Sequence, residues 1–202
     1  MGAEILLKIN NNYQMAISAH RELADVFWFI SLPGYAVWNE YQLIDEQKTQ
    51  REVKKYITET YHIFLPDALP SDANISMPLL QNENRKNLKG EKIKEITKTA
   101  FASYQKWEED TLELYQNLAI NLIDSGEVSA FNFVGDIIKD VKEELTNVTN
   151  KMIEFESHNW DMPTISAEQP DYFEKYQHLI GRIYFDQKMH HWNSALASGA
   201  KI

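Results

Sequence analysis

Three features of the 202-residue chain predict an all-α fold, an antiparallel four-helix bundle with one long crossover. Glycine and proline are sparse, seven and six residues respectively, and most of them mark boundaries rather than regular hairpin turns. Four long stretches carry apolar residues at steps of three, four and seven, the period of a helix with one buried face. The connections between them run short, long, short, which joins two helix hairpins by a crossover.

The first helix is expected from about Asn11 to Leu32, ending at "LPGYAVW", where Pro33 and Gly34 break the pattern. A second runs from about Tyr35 to His62; the turn between them is short, so the two are antiparallel neighbours. "IFLPDALPSDANISMPLLQNEN" has three prolines among polar residues and no strand alternation, and reads as the crossover. The pattern resumes near Leu88 with Phe101, Tyr104, Thr111, Tyr115, Leu118 and Leu122, and "DSGE" stops it at Asp124 to Glu127. A fourth helix carries Phe131, Val134, Val141, Leu145, Val148 and Met152 as far as "SHNWDMP". Residues 1–160 are therefore assigned to the bundle and 161–202 to a C-terminal extension with a short fifth helix. Tyr172, Phe173, Tyr184, Phe185 and Trp192 mark that extension as a packed or interface segment.

A chain of this length suits one domain with one core, and 44% hydrophobic residues suit a globular protein. No run approaches the roughly 18 apolar residues of a membrane span, and the N-terminus does not read as a secretory signal, so a cytoplasmic address and no membrane partner are expected. The absence of cysteine excludes disulfides and thiolate metal sites, so any metal must be held by oxygen and imidazole. A formal charge of -10 argues against nucleic acid as a partner and suits attraction of cations.

Candidate metal ligands interrupt the inward stripes. In the second helix the stripe Tyr35, Trp38, Gln42, Asp45 or Glu46, Thr49, Val53, Tyr56 turns Glu46 towards the core. In the third, Glu108 is the single acid among Phe101, Tyr104, Thr111 and Tyr115. In the fourth, Glu144 lies one turn beyond Val141, with Asp140 and Glu143 on the edge of that face. Ionised carboxylates in a core are costly, so acids that converge need protons, basic partners or a cation. The first helix adds Ser18 and Asp25 on one face; His20 near them is expected at the surface or in helix packing. His190 and His191 are adjacent, so their side chains diverge and surface or subunit contacts are expected rather than a shared metal.

"GYAVWNEYQLIDEQKTQREVKKYITETYHIFLP", "FASYQKWEEDTLELY", "FNFVGDIIKDVKEEL" and "GRIYFDQKM" resemble, in order and spacing, the second, third and fourth helices and the tail of non-haem, bacterial-type ferritins. The likeness covers roughly Asn11 to Ile153. It implies a ferritin-like bundle, iron as Fe2+/Fe3+ without haem, metal ions as partners and a homo-oligomer, with a closed cage as its form. Ferritins oxidise Fe(II) with a Glu from the first helix, Glu-x-x-His from the second, Glu from the third and Gln or Glu from the fourth. Here those positions hold Ala16 or Ser18, Glu46 with Thr49 in place of the His, Glu108, and Val141 in place of the Gln, so three expected ligands are replaced. Glu144 matches a fourth-helix Glu. The acids of an accessory iron site map onto Asp45, Asp140, Glu143 and Glu144, with Asp25 as the substitute for the lost first-helix acid.

Together the residues and the resemblance imply an iron-binding or storage protein with an incomplete di-iron centre and weak or altered ferroxidase activity. The rival is a ferritin-like scaffold or interaction subunit whose acids are held by lysines or by protons.

Overall fold

The computed structural model describes residues 1–65 and 84–197, with side chains described to residue 184 and not for residue 87. Regular structure among the described residues is helical: α1 (Gly2–Phe29), α2 (Pro33–Tyr61), α3 (Gly90–Asp124), α4 (Val128–Ser157), α5 (Met162–Ala167) and α6 (Gln169–Ala197), with a single 3-10 turn at Arg85–Asn87 before α3. Most of the crossover, residues 66–83, and the side chains of Phe185, His190, His191 and Trp192 lie outside the described residues.

The register of the hairpins is written in their contacts. Gln50 Nε2 donates to the Asn10 carbonyl at 3.3 Å and His20 meets Asn39 at 3.1 Å, so α1 and α2 run antiparallel. Gln105 Nε2 donates to Thr149 Oγ1 at 3.0 Å across the antiparallel α3 and α4. Trp38 packs on Phe101, and one turn further on Gln42 bonds Tyr104, so α2 and α3 run parallel, as a long crossover requires.

Two expectations change. The first helix starts at Gly2, not Asn11, because Ile5, Leu6 and Ile9 continue the inward stripe of Tyr13 upstream and are buried against Tyr115 and Leu122. The extension is also more helical than expected: after the six-residue α5, α6 runs for 29 residues and lies along α2. The physical reason is aromatic. Tyr176 stacks on Trp38 with centroids 6.0 Å apart, and Tyr172 packs on both Tyr35 and Trp38. The start of α6 is also bonded into α2: Gln169 Oε1 accepts from the backbone N–H of Gly34 at 3.0 Å and of Tyr35 at 3.3 Å, satisfying donors that a helix start leaves open. Beside it Lys151 Nζ, almost fully buried, reaches Glu168 at 2.8 Å and Glu154 at 2.7 Å, and the Tyr35 hydroxyl donates to Glu168.

The interior is divided into two apolar clusters. One is built from the second half of α1, the start of α2, the start of α3, the end of α4, and α5 and α6, around Phe27, Tyr35, Trp38, Phe101, Phe155 and Trp160. The other occupies the opposite end, around Leu6, Ile9, Val53, Tyr115, Leu122 and Val134. Neither cluster includes the stretch between them, where each of the four bundle helices turns polar side chains inward.

Candidate metal centre

That middle layer is assembled one residue type at a time. From α1 come Asn12 and His20, from α2 Asn39, Gln42 and Gln50, and from α3 Glu108 and Thr111, all buried; α4 supplies the partly buried Glu144. Each helix keeps its three-and-four spacing through the layer, so a polar residue at a stripe position is carried inside by its apolar neighbours one turn above and below. Much of the layer is satisfied internally. Asn12 Nδ2 donates to Tyr115 Oη at 3.2 Å and Thr111 Oγ1 at 3.4 Å, Gln42 Nε2 donates to Tyr104 Oη at 3.3 Å, and Gln50 Nε2 to Gln14 Oε1 at 3.1 Å.

Three candidate ligand atoms in the layer are not satisfied. His20 Nε2, Glu108 Oε1 and Glu144 Oε2 are buried and lack a hydrogen-bond partner among the described residues. These residues come from α1, α3 and α4, and their ligand atoms lie within 4.8 Å of one another; His20 Nε2 and Glu108 Oε1 are 3.7 Å apart. His20, expected at the surface or in helix packing, is fully buried, at 0% exposure. Its inward position is legible afterwards in the run Tyr13, Ile17, His20, Ala24, Phe27, which is a helical stripe of buried residues with the imidazole at its centre.

Electrostatics point the same way. Burial pushes the Glu46 and Glu108 carboxyls well above the usual carboxylate range, and the strongest charges acting on them are other acids: Glu144 on both, then Glu108, Asp45 and Asp140 on Glu46. Glu144 is pushed up to about 8, first by burial and then by Asp45 and Asp140, with the Gln42 amide acting the other way. His20 is pushed down to about 4 by burial, with its bond to Asn39 acting the other way. The layer therefore concentrates acids that resist ionisation.

The other sequence candidates fall into place around it. Glu46 is partly buried and Asp45 lies beside it at the opening. Asp45, Asp140, Glu143 and Glu144 line one pocket of about 340 Å³ with Trp38, Gln42 and, from α6, Lys175 and Tyr176. Asp140 and Glu143 are exposed, and burial followed by Asp45 raises the Asp140 carboxyl while Lys48 opposes. Glu144 is thus shared between the pocket and the buried layer. Asp25 is not part of this group: it is exposed, about 140° around α1 from His20 at 100° per residue, because the inward face there is taken by Leu23, Ala24 and Phe27. Of the replaced positions, Ala16 and Val141 are buried and apolar. Thr49 Oγ1 donates to the Asp45 carbonyl at 3.2 Å and Ser18 Oγ to the Gln14 carbonyl at 3.2 Å, each within its own helix.

The chain is similar in structure to archaeal ferritins. The open-pore ferritin of Archaeoglobus fulgidus superposes with a TM-score of 0.68 at 14% identity, over 85% of this chain and 95% of that one. An engineered closed form of that ferritin gives 0.68 at 14%, over 85% and 94%, and a humanized archaeal ferritin 0.67 at 16%, over 85% and 94%. No protein-family model and no curated protein matches the sequence. At such identities the likeness establishes an all-α, ferritin-like helical bundle. No helix among the described residues is long and apolar enough to cross a membrane.

Proposed function

We propose, from the premise of a ferritin-like fold, that this chain is an iron-binding protein that takes Fe(II) into the middle of its bundle and serves iron storage or mineral nucleation. Its oxidation of Fe(II) is weak or altered relative to a complete di-iron centre, and it works as a cytoplasmic homo-oligomer of the cage type. The observation that carries this reading is the pair of buried carboxylate oxygens, Glu108 Oε1 and Glu144 Oε2, which lack hydrogen-bond partners among the described residues, in a layer crowded with acids.

Such a pair is expensive in a protein that binds nothing there, since an unsatisfied buried acceptor costs about 1–3 kcal/mol. Hard carboxylate oxygens fit Fe(II), and the acidic pocket between α2, α4 and α6 leads inward through Glu144. The lysine-held alternative is weakened by the buried acids' own surroundings, because the leading charges on Glu46 and Glu108 are acidic. Asp45, Asp140 and Glu143 attract and pass the cation; Glu108 and Glu144 hold it, and the Glu46 carboxyl close to both adds to the field that draws it in. Bound iron would supply one-electron chemistry with dioxygen or peroxide as acceptor. The positions held by Ala16, Thr49 and Val141 withhold part of a two-iron ligand set, which is why altered oxidation is part of the proposal.

The test is an anaerobic Fe(II) titration of the wild type, Glu46→Ala and Glu108→Gln, followed by admission of air while Fe(III) is monitored. Stoichiometric binding that Glu108→Gln removes and Glu46→Ala weakens is the expected result. Equal and negligible binding in all three proteins would overturn the reading in favour of a non-catalytic ferritin-like scaffold.

A further inference from the structure

We propose that α1 supplies a nitrogen ligand, and that the bundle holds a single divalent transition-metal ion between His20 Nε2, Glu108 Oε1 and Glu144 Oε2, with Asn39 positioning the imidazole. This rests on the reading that the interior takes a cation, and specifies the ligands and number of ions.

The tautomer is built into α2. Asn39 Nδ2 donates to the Tyr35 carbonyl at 3.0 Å, which turns Asn39 Oδ1 towards the imidazole. That oxygen can only accept, so His20 carries its proton on Nδ1 and donates it to Asn39 at 3.1 Å. Nε2 is left with a bare lone pair, which is the form that ligates a metal, and the outer hydrogen bond is the usual means of orienting such a ring. Tyr104 meets the ring edge-on at 5.1 Å and restricts its rotation.

Among the described residues the nitrogen has no other partner. It is fully buried and unpartnered, and at 3.7 Å from Glu108 Oε1 it is too far for a hydrogen bond from a protonated carboxyl. The spacing suits an ion instead: donors about 2.1 Å from one metal stand about 3.0–4.2 Å apart, depending on the angle between them. His20 and Glu108 already meet that condition. Glu144, which reaches in from the pocket side with its ligand atom within 4.8 Å of both, completes the set through the freedom of a three-torsion side chain. Two carboxylates neutralise a divalent charge, and one imidazole with two carboxylates favours Fe(II), Mn(II), Co(II) or Zn(II) over Mg(II) or Ca(II). A second interior ion finds a poorer set: Thr49 and Ser18 turn their hydroxyls to their own helix carbonyls, Ala16 and Val141 offer no donor, and Asp45, Asp140 and Glu143 lie out in the pocket, which leaves Glu46 as the further inward carboxylate.

The experiment loads the intact chain anaerobically with Co(II), reads stoichiometry from visible absorption and records paramagnetic proton NMR in H2O and D2O. The expected result is one ion per chain with one solvent-exchangeable, strongly shifted proton, the Nδ1–H of a coordinated imidazole. His20→Ala and His20→Gln, both checked for fold by circular dichroism, lose that signal and weaken binding. Asn39→Ala weakens binding by about 10–100-fold and speeds exchange of the same proton, which loss of packing alone would not do. One Co(II) bound equally well by the His20 variants, or no shifted exchangeable proton in the wild type, overturns the nitrogen ligand and leaves the carboxylate reading standing. Two interior ions overturn the single-metal assignment. Failure of the wild type to bind either Co(II) or Fe(II) overturns both readings.

Discussion

Glu144 and His20 pull the pH dependence of the metal-free protein in opposite directions. Glu144 has a folded pKa of about 8, above its ordinary 4.5, so the folded chain holds a proton that the unfolded chain releases. Its contribution is full below about pH 4.5 and is lost as pH rises through 8. Glu46 and Glu108 shift in the same direction. His20, lowered from 6.5 to about 4, is neutral in the fold, so its contribution is full above 6.5 and is lost as pH falls towards 4. Between pH 6.5 and 8 only the carboxyl effect operates, and urea midpoints of the metal-free protein are expected to fall across that interval. Glu144→Gln should flatten the slope; a midpoint that rises with pH in the wild type would contradict the assignment. Glu108→Gln keeps shape while removing a carboxyl that is costly to ionise, so it is expected to leave the metal-free protein as stable as the wild type, or more so, while abolishing tight metal binding. A loss of several kcal/mol in the metal-free protein would instead mark Glu108 as a structural residue.

Among the elements, the docking of α6 on α2 depends on a few close approaches. Gly34 is packed so tightly that a Cβ would lie 2.5 Å from the Gln169 carbonyl oxygen and 2.8 Å from the Tyr172 Cβ. Because that oxygen belongs to backbone, Gly34→Ala is expected to push α6 away and cost about 1–3 kcal/mol, read as a shifted denaturation midpoint. Gln169→Ala removes the acceptor for two N–H groups at the start of α2 and should cost about 1–2 kcal/mol. Either change at less than about 0.5 kcal/mol would mean that the junction between the helices is loose. Tyr176 and Lys175 of α6 form part of the acidic pocket, so the same docking shapes the approach to Glu144.

At the scale of the whole molecule, two dense apolar clusters support a polar layer that is incompletely satisfied without a ligand. A cation that binds only the folded state should therefore raise the thermal midpoint, with about 2.7 kcal/mol gained at a free concentration a hundredfold above Kd. Unchanged melting at saturating Fe(II) or Co(II) would count against an interior site. The proposed homo-oligomer is tested by sedimentation velocity, where a mass that stays at 23.6 kDa at high protein concentration would remove assembly from the proposal.

The bundle was legible in the sequence because amphipathic spacing is a local property. Phe101, Tyr104, Glu108, Thr111 and Tyr115 repeat at three and four, and all five are buried. The single acid in that stripe was legible for the same reason. Less could be read at the ends: three consecutive asparagines hid the earlier start of α1, and the mixed pattern of α6 made sense only with Trp38 of α2 beneath Tyr176. His20 and Asp25 show the limit most clearly. Both lie on α1 near the inward stripe, and a five-residue difference, about 140° of rotation, separates a buried imidazole from an exposed carboxylate. By itself the sequence determined which faces turn inward and which acids interrupt them. Only the tertiary structure decided that His20, Glu108 and Glu144 meet, because that depends on the relative height and rotation of three helices, and those are set by packing between residues far apart in the chain.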